Sequence, residues 1–411
     1  MIKSVHIKNF KSVVDLSLDL GTFNVFIGEN GCGKSNILEA IAFGAAASAD
    51  KLDYEFLGSR GIRITNPEFM FSAFSEDTAK AIEIDFSTDK NKIFDKYNYK
   101  LVNDTDNKKK WINENKEISA LVTRDLIESI AFEENKKKKK EKSLSISNED
   151  LKLFENIASK IKDVTKNKDG KIDNKGFFRF LYNQYLSDKY SNTSISDFIV
   201  FSPEQSSLRK FEETTQIYPL GIKGEGLFQY LKELSLDEKN NTLLNEIKQN
   251  LVLLDWYEDF ELPNELLKNE YSLKIKDKFI HENIEYFDQR STNEGFLYLL
   301  FYSTLFISKL TPSFFAIDNI DSSFNPKLCV QLIKNLSTLS EKNNKQVILT
   351  THNPAILDGL NLKDDNQRLF VIRRNDEGHT IAKRILYKSE RKMKLSEIWT
   401  SGFIGGLPDN F

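Results

Sequence analysis

Residues 28–36 read "GENGCGKSN", and two glycines, a lysine and a serine within them have the spacing GxxxxGK[ST] of a phosphate-binding loop. The glycines allow backbone N–H groups to turn toward phosphate oxygens without a Cβ in the way. A helix that starts inside the loop presents its positive end to the same anion. Lys34 is expected to reach the β- and γ-phosphates of a nucleotide, and Ser35 to bind Mg²⁺.

The segments on both sides of this loop have the pattern that such a site requires. "FNVFIGEN" (23–30) begins as an apolar, β-branched strand, and "SNILEAIAFGAAA" (35–47) has the pattern of a helix. Strand, glycine-rich loop and helix in this order favour a nucleotide site over an ordinary glycine-rich turn. The loop residues expected to contact the nucleotide are Glu29, Asn30, Gly31, Cys32, Gly33, Lys34, Ser35 and Asn36.

Two later strands end in polar side chains that suit the same chemistry. "FFAIDNID" (314–321) is an apolar run followed by Asp318, a carboxylate placed to face Mg²⁺ at a strand end. "QVILTTHNP" (346–354) is a second such run, which His352 follows. An imidazole there can contact a γ-phosphate or an attacking water. Each segment alone also fits a purely structural strand, so the phosphate loop is what favours the functional interpretation.

The composition limits the class of protein. The 411 residues carry a net charge of −3, so no global positive field draws the chain to nucleic acid or membrane. Two cysteines, Cys32 and Cys329, give no disulfide framework and fit a reducing compartment. The most apolar run (295–307) is shorter than the roughly 20 residues of a membrane span, and the N-terminus lacks a signal-peptide core. We therefore expect a cytoplasmic protein without a membrane segment.

Strands that alternate with helices predict an α/β fold with a mixed, largely parallel sheet and flanking helices. Strands at 81–87 and 97–102 are expected to extend that sheet. Residues 108–197 differ, because 20 basic and 15 acidic residues give them a charge of +5, which leaves −8 on the rest of the chain. The predicted domains are a first lobe with the phosphate loop (1–107), an inserted, helical, lysine-rich subdomain (108–197) and a second lobe (198–411).

The order of these motifs resembles that of ABC-type P-loop ATPase heads. The opening "IKNFKSVVDLSLDLGTFNVFIGENGCGKSNILEAI" (7–41) is most similar to the SMC/RecF/OLD branch of that family. "FSPE" (201–204) and "NPAILDGL" (353–360) add a similarity to compact bacterial ATPases of phage-defence operons, of the Septu-like and OLD-like kind. The resemblance covers residues 1–105 and 198–411.

This resemblance implies ligands, partners and further site residues. It implies ATP and Mg²⁺, an "NFKS" element (Asn9 to Ser12) close to the nucleotide, and a homodimer whose two heads enclose ATP. The signature loop that would contact the partner's ATP corresponds best to "TNEGFLYLL" (292–300), with Gly295 in place and Asn293 at the serine position. An asparagine amide can still donate a hydrogen bond to a γ-phosphate.

One departure from the family pattern concerns catalysis. The residue after the strand-end aspartate is normally a glutamate that activates water, and here it is Asn319. An amide can hold water but cannot accept its proton, and loss of a general base commonly slows a reaction about 10²- to 10⁴-fold. We therefore expect slow hydrolysis, unless Asp321, two residues further on, replaces the missing carboxylate.

The function favoured by the resemblance is regulation of a separately encoded effector, a toxin or a nuclease, in anti-phage defence. The sequence itself shows neither clustered histidines nor a Glu…DxD metal site. A RecF-like clamp in DNA repair, a nucleotide-locked scaffold without turnover and, less favoured, a transporter ATPase stay open. Contact with DNA or RNA through "NKKKKKEK" (135–142) also stays open, although such charge runs are more often solvated loops.

Two other segments invite functional interpretations. "TKNKDGKIDNKG" (165–176) is similar to a calcium-binding loop, but Thr165 and Gly176 stand where its key carboxylates should be, so calcium is not expected. The tail "EIWTSGFIGGLPDNF" (397–411) is aromatic and glycine-rich. We expect it to pack on its own domain, with docking of a partner as the alternative.

Overall fold

A computed structural model describes nine stretches of the chain: residues 1–74, 81–88, 96–104, 110–114, 195–211, 217–262, 272–281, 283–390 and 392–407. Most of the predicted insertion, with the lysine run and the calcium-like loop, lies outside these residues. At the ends of that segment, Trp111–Asn113 forms a short strand and Ile195–Asp197 a 3₁₀ turn.

The strands and helices follow one another largely as the sequence pattern predicts. The strands are β1 (Ile2–Phe10), β2 (Val13–Asp19), β3 (Phe23–Ile27), β4 (Ile82–Thr88), β5 (Lys96–Asn103), β6 (Trp111–Asn113), β7 (Val200–Phe201), β8 (Tyr257–Glu261), β9 (Lys274–Asp277), β10 (Phe314–Ile317), β11 (Gln346–Thr350), β12 (Gln367–Arg374) and β13 (Thr380–Ile385). The helices are α1 (Lys34–Ser48), α2 (Tyr54–Ser59), α3 (Gln205–Leu208), α4 (Leu227–Leu236), α5 (Asn241–Asn250), α6 (Glu294–Ile307), α7 (Pro326–Lys342) and α8 (Leu395–Thr400).

The central sheet has the strand order β13-β12-β3-β11-β10-β7. Its strands are parallel except for β13, which pairs antiparallel with β12. β3, which leads into the phosphate loop, lies between β11 and β12 and is buried along its whole length. A continuous apolar strand in this position is what a sheet covered on both faces requires. The predicted α/β class with a largely parallel sheet is confirmed.

A second sheet is antiparallel, with the order β2-β1-β4-β5-β6. The segments expected to extend the central sheet, β4 and β5, belong here instead and continue from β1. Their sequence explains the difference. Alternate residues of β4 are buried, which is typical of an antiparallel sheet with one covered face, whereas strands of the central sheet are buried on both faces.

Helix α1 lies between the two sheets. Twelve of its fifteen residues are buried, so the helix is covered on all sides rather than along one stripe. Alternate residues of the central strands point to opposite faces: Phe26, Ala316 and Ile348 join the core around α1. Val25, Ile317 and Leu349 join a second core on the other face, which includes α6 and α7.

The second lobe completes the core on the far face. The aromatic helix α6 is buried at every position from Phe296 to Ile307, and the hairpin β8–β9 packs against it through Tyr257. The tail also packs on this body, because Trp399 is 3% exposed and belongs to the same core, whereas Phe403 is 73% exposed. Among the described residues, none of the helices combines the length and apolar character needed to cross a membrane.

A glycine in α1 sets how closely the helix approaches the antiparallel sheet. A Cβ on Gly44 would lie 2.7 Å from both Ile84 Cγ2 and Phe86 Cε2, whereas a Cβ on Gly58 in α2 would meet nothing nearer than Ile64 Cγ1 at 3.8 Å. Both alanine substitutions gain helix propensity, about 1 kcal/mol, but only the first overpacks the core, by about 1–3 kcal/mol.

We therefore expect Gly44→Ala to destabilise the protein by up to about 2 kcal/mol and Gly58→Ala to be neutral or stabilising by up to about 1 kcal/mol. Urea unfolding of the two variants beside the wild type measures both effects. Equal stability of the two variants would show that α1 is not held against β4 as described.

Candidate functional site

The phosphate loop ends where α1 begins, at Gly33. Gly33 has φ 108°, and a Cβ at this position would lie 2.1 Å from Thr380 Oγ1, so only glycine fits. Because Gly33 has no side chain to cap the helix, the N–H groups of the first turn remain available to an anion. This local geometry suits the anion binding that the sequence predicts for the loop.

Lys34 lies folded over the loop rather than extended from it. Its Nζ donates hydrogen bonds to the carbonyl oxygens of Gly28 and Glu29, each at 2.9 Å, and lies 3.7 Å from Cys32 Sγ. Lys34 is only 6% exposed, and this desolvation lowers the pKa of its ammonium group. A phosphate group would therefore meet an ammonium that has already left bulk water and is held by two neutral acceptors.

The predicted metal ligands meet although they are 283 residues apart in sequence. Ser35 Oγ donates to Asp318 Oδ2 at 2.9 Å, and Thr350 Oγ1 hydrogen-bonds to the other carboxylate oxygen. This contact forms because β10 and β11 are parallel neighbours, so their carboxyl ends reach the same edge of the sheet as the loop after β3. One hydroxyl and one carboxylate form the oxygen-only set that Mg²⁺ takes beside substrate phosphates and water.

Asn319 follows Asp318 in a left-handed backbone conformation, with φ 58°. Its N–H donates to Thr350 Oγ1 at 2.9 Å, so the backbone is fixed to the strand end, and its side chain is exposed. Asparagine adopts this conformation more readily than other residues with a Cβ. The structure therefore gives a local backbone reason for asparagine here, in addition to the chemical consequence of losing a carboxylate.

Asp321 and His352 flank the same edge. Asp321 Oδ1 accepts a hydrogen bond from Thr351 Oγ1 at 2.6 Å, which ties the carboxylate to the segment leading to His352. Desolvation and the positive charge of Lys34 lower the pKa of His352, while Asp321 and Asp318 oppose the shift. A neutral imidazole beside the loop can hold a water molecule through either ring nitrogen.

The "NFKS" element reaches the loop through Ser12. Ser12 Oγ accepts a hydrogen bond from Asn36 Nδ2 at 2.7 Å and lies 2.7 Å from Thr380 Oγ1, which donates to the Cys32 carbonyl at 3.0 Å. Lys11, from the same element, pairs with the buried Glu39 of α1. The family resemblance places this element near the nucleotide, and the contacts bring it to the first turn of α1.

Asn293 and Gly295 stand at the start of α6. Asn293 Oδ1 accepts from Phe296 N at 2.9 Å and so caps the helix, while its amide nitrogen is the group left to donate. A Cβ on Gly295 would lie 3.4 Å from Ser323 O, so this turn packs on the loop that follows Asp321. In the described part of the chain, no hydrogen bond joins Asn293 or Gly295 to the phosphate loop.

Sequence reasoning missed several residues that shape the site. Thr350 and Thr351 orient the two carboxylates, and Thr380 holds the loop carbonyl of Cys32. The two threonines stand directly before His352, so strand-end hydroxyls were a usable signal. Thr380 carried none, because its role arises from a hairpin that returns to the loop from far along the chain.

Comparison with known proteins identifies a family to which most of the chain matches. Residues 23–358 match the family model described as "AAA domain, putative AbiEii toxin, Type IV TA system". An uncharacterized protein of Methanocaldococcus jannaschii is 49% identical over 43 residues, which is 10% of this chain and 20% of that protein. The DNA replication and repair protein RecF of Lactococcus lactis subsp. cremoris is 40% identical over 55 residues, 13% of this chain and 15% of RecF. The chain thus aligns with only a fifth or less of these relatives.

A solved structure supports the fold. An SMC head crystallised with the C-winged helix domain of ScpA has a TM-score of 0.52 and 14% identity, with 94% of this chain and 98% of that one covered. At this identity the likeness shows the fold alone. Since the family model spans most of the chain, the protein belongs to this AAA domain family.

Proposed function

We propose that this chain binds ATP with Mg²⁺, hydrolyses it slowly, and uses the ATP-bound state to join two copies and regulate a partner effector, a toxin or nuclease, in anti-phage defence. The observation that carries the proposal is the contact of Ser35 with Asp318 beside Asn319. This contact supports a metal-binding role for the pair, and the position of the usual catalytic carboxylate holds an amide.

The residues present fit ATP and Mg²⁺. Ser35 and Asp318 would hold the metal, the uncapped first turn of α1 would face the phosphates, and Lys34 would exchange the carbonyls of Gly28 and Glu29 for phosphate oxygens. When bound, Mg²⁺ neutralises charge on the β- and γ-phosphates. The chain itself positions these groups and provides Asn319 and His352 to hold water near them.

Slow turnover follows from the side chains that face the site. Asn319 can orient water but cannot take its proton. Asp321 is engaged by Thr351, and the lowered pKa of His352 favours a neutral ring. Binding without rapid hydrolysis prolongs the ATP state, and ATP stabilises whichever assembly holds it most tightly.

The proposed assembly is a homodimer in which each phosphate loop faces the start of α6 in the other copy. Asn293 and Gly295 would then approach the γ-phosphate from the partner's side, through the Asn293 amide and backbone N–H groups. Among the described residues, neither Asn293 nor Gly295 forms a hydrogen bond with the phosphate loop of its own chain. Both residues are therefore available to a second copy, which supports this arrangement. A related fold is known with a protein partner bound, the SMC head with a domain of ScpA.

The family description supports a toxin–antitoxin context for this chain, since it names a putative AbiEii toxin of a type IV toxin–antitoxin system. The local match to RecF favours one alternative, a DNA-binding ATPase in repair or maintenance. Loss of viability from the product of an adjacent gene, relieved or triggered by this chain, would support the first role. ATP-dependent binding to DNA without any such effect would support the second. Either role fits a cytoplasmic location.

The first prediction concerns Lys34. Lys34→Ala is expected to weaken ATP binding by about 100-fold, because each charge-assisted contact to phosphate contributes about 1.5–3 kcal/mol. Lys309→Ala, which removes an exposed lysine after α6, is the matched control and should bind ATP as the wild type does. Isothermal titration measures both affinities, with thermal unfolding as the check on folding. Unchanged ATP affinity in a folded Lys34→Ala protein would refute the phosphate-loop assignment.

The second prediction concerns Asn319. Asn319→Asp introduces a carboxylate that tolerates the left-handed backbone, and Asn319→Glu introduces a longer one at a strain of about 1 kcal/mol. At least one of them should raise ATP hydrolysis by about 10- to 100-fold and shorten the life of the ATP-bound dimer. Phosphate release measures the rate of ATP hydrolysis, and sedimentation after ATP addition measures how long the dimer persists.

Asn319→Gln, which has the length of glutamate without its charge, is the control and should not accelerate hydrolysis. If the wild type already turns over tens of ATP per second, or if neither acidic variant changes rate or dimer lifetime, Asp321 or His352 supplies the base and the slow-clamp picture is wrong.

A further inference from the structure

A groove opens on the second lobe between two segments that are close in space but separated in sequence. Residues 357–363 form one wall, and residues 387–395, which lead from β13 into α8, form the other. The first wall follows His352 through the turn Pro354–Gly359. The groove has a volume of about 310 Å³, which is at the lower end of the range for ligand pockets. The described residues that line it are all distinct from those assigned to the nucleotide site.

The floor of the groove is apolar. It is lined by Leu357, Leu360, Leu362, Tyr387, Met393 and Leu395. Tyr387 is 46% exposed and Met393 is 44% exposed. Large apolar side chains that stay in water add little to the stability of the fold, and where several of them line a concavity they mark a binding surface. The groove can therefore bury apolar side chains of a ligand.

The rim of the groove is positively charged. Three exposed lysines, Lys363, Lys388 and Lys394, stand around the apolar floor. Lys363 Nζ lies 5.4 Å from the centroid of the Tyr387 ring, and within the described ranges none of the three ammonium groups forms an ion pair. The segment 388–394 has four basic residues and one acidic residue, which gives +3 in a chain of net charge −3. A ligand with negative charges would therefore meet cations that have no carboxylate partner among the described residues.

The one carboxylate among the described lining residues belongs to Asp358, and it holds the two walls together. Asp358 Oδ1 accepts from Ser396 N at 3.0 Å, and Asp358 Oδ2 accepts from Ser396 Oγ at 2.7 Å. These bonds join the first wall to α8, whose Trp399 is buried in the core of the second lobe. The walls are thus fixed by contacts within the chain, which limits the conformational freedom that binding would remove.

We propose that this groove is a docking site for an acidic segment of a separate protein, a segment that alternates carboxylates with large apolar side chains. The apolar side chains would fill the leucine-lined floor, and the carboxylates would pair with the lysines of the rim. This inference goes beyond the proposed ATP binding and does not depend on it.

Nucleic acid is the other polyanion that a basic rim could attract, and the lining favours it less. Surfaces that bind single strands present several aromatic rings on which successive bases stack. Among the described lining residues Tyr387 is the only aromatic one, and the ammonium of Lys363 lies over its ring. A concave floor of leucine and methionine suits aliphatic or aromatic side chains of a peptide better than it suits a sugar–phosphate backbone.

Peptide display on the immobilised full-length chain tests the proposal, with a random library of short peptides as the probe. Selection should enrich peptides that combine aspartate or glutamate with leucine or phenylalanine. Fluorescence anisotropy then measures the affinity of a labelled selected peptide for the protein in solution. The affinity should fall as salt is added, because exposed charges are screened.

Two sets of substitutions separate the rim from the floor. The double variant Lys388→Glu with Lys394→Glu should weaken peptide binding by about tenfold and flatten its salt dependence. Its control reverses two exposed lysines elsewhere, Lys309→Glu with Lys334→Glu, and should bind within about twofold of the wild type.

The floor variant is Tyr387→Ser, which should weaken peptide binding by about tenfold with the salt dependence retained. Tyr286→Ser is its matched control, because Tyr286 is 38% exposed and also has a lysine over its ring, with Lys274 Nζ 4.7 Å from the centroid. Binding by the control should equal that of the wild type. Thermal unfolding checks that each variant is folded.

Several results would overturn the proposal. A selection that yields no peptides, or peptides that are basic or uncharged, would show that the groove does not take an acidic segment. Equal binding by the wild type and the folded groove variants would place the peptide elsewhere. Binding of single-stranded DNA or RNA that both groove variants lose, without peptide enrichment, would assign the groove to nucleic acid. Self-association without ATP that Tyr387→Ser abolishes would show that a second copy covers it. None of these results bears on Lys34 or on ATP affinity, so the proposed nucleotide binding stands or falls separately.

Discussion

The burial of α1 between two sheets is the constraint on which the rest of the site depends. The helix is covered by the antiparallel sheet on one side and by the central sheet on the other, so its position and rotation are fixed. Its first turn then has one available location, at the carboxyl edge of β3. Ser35 contacts Asp318 because both lie at that edge. The hydrogen bond between them joins two parts of the chain that are distant in sequence. A helix free to shift by a fraction of a turn would lose this contact, since packed interiors allow little adjustment.

Much of this arrangement could be predicted from the sequence, because local patterns encode it. The strand–loop–helix order around Gly28 to Ser35 and the apolar strand before Asp318 both required only composition and spacing. The central sheet follows from the alternation of apolar strands with helices. What local patterns could not reveal was the partition of strands between sheets. β4 pairs with β1 although the phosphate loop and α1 lie between them in the sequence. The sequence of β4 alone does not identify the strand with which it pairs. The same limitation hid Thr380 and Arg374, whose contacts with the loop depend on a turn near the other end of the chain.

The site combines strong preparation for binding with weak preparation for chemistry. The loop, Lys34 and the Ser35–Asp318 pair are held in place by hydrogen bonds within the chain itself. At the neighbouring position, Asn319 has a left-handed backbone, which asparagine adopts more readily than most residues. Its side chain therefore suits the backbone conformation but not proton transfer. In enzymes that depend on each turnover for work, the opposite balance is expected, with binding energy realised in the transition state. A protein that acts through its ATP-bound state, as proposed for this chain, requires the binding groups but not rapid hydrolysis.

The folded-back Lys34 has a consequence for the stability of the protein. Its ammonium is removed from water and held by two backbone carbonyls rather than by a carboxylate, and its lowered pKa reflects that environment. Folding therefore bears the desolvation of a charge whose full compensation comes only with an anion. Under the proposed nucleotide binding, every ligand that supplies phosphate oxygens to Lys34 would stabilise the folded chain by mass action. In a cell where such ligands are abundant, the proposed binding would therefore add to the stability of the fold as well as occupy the site.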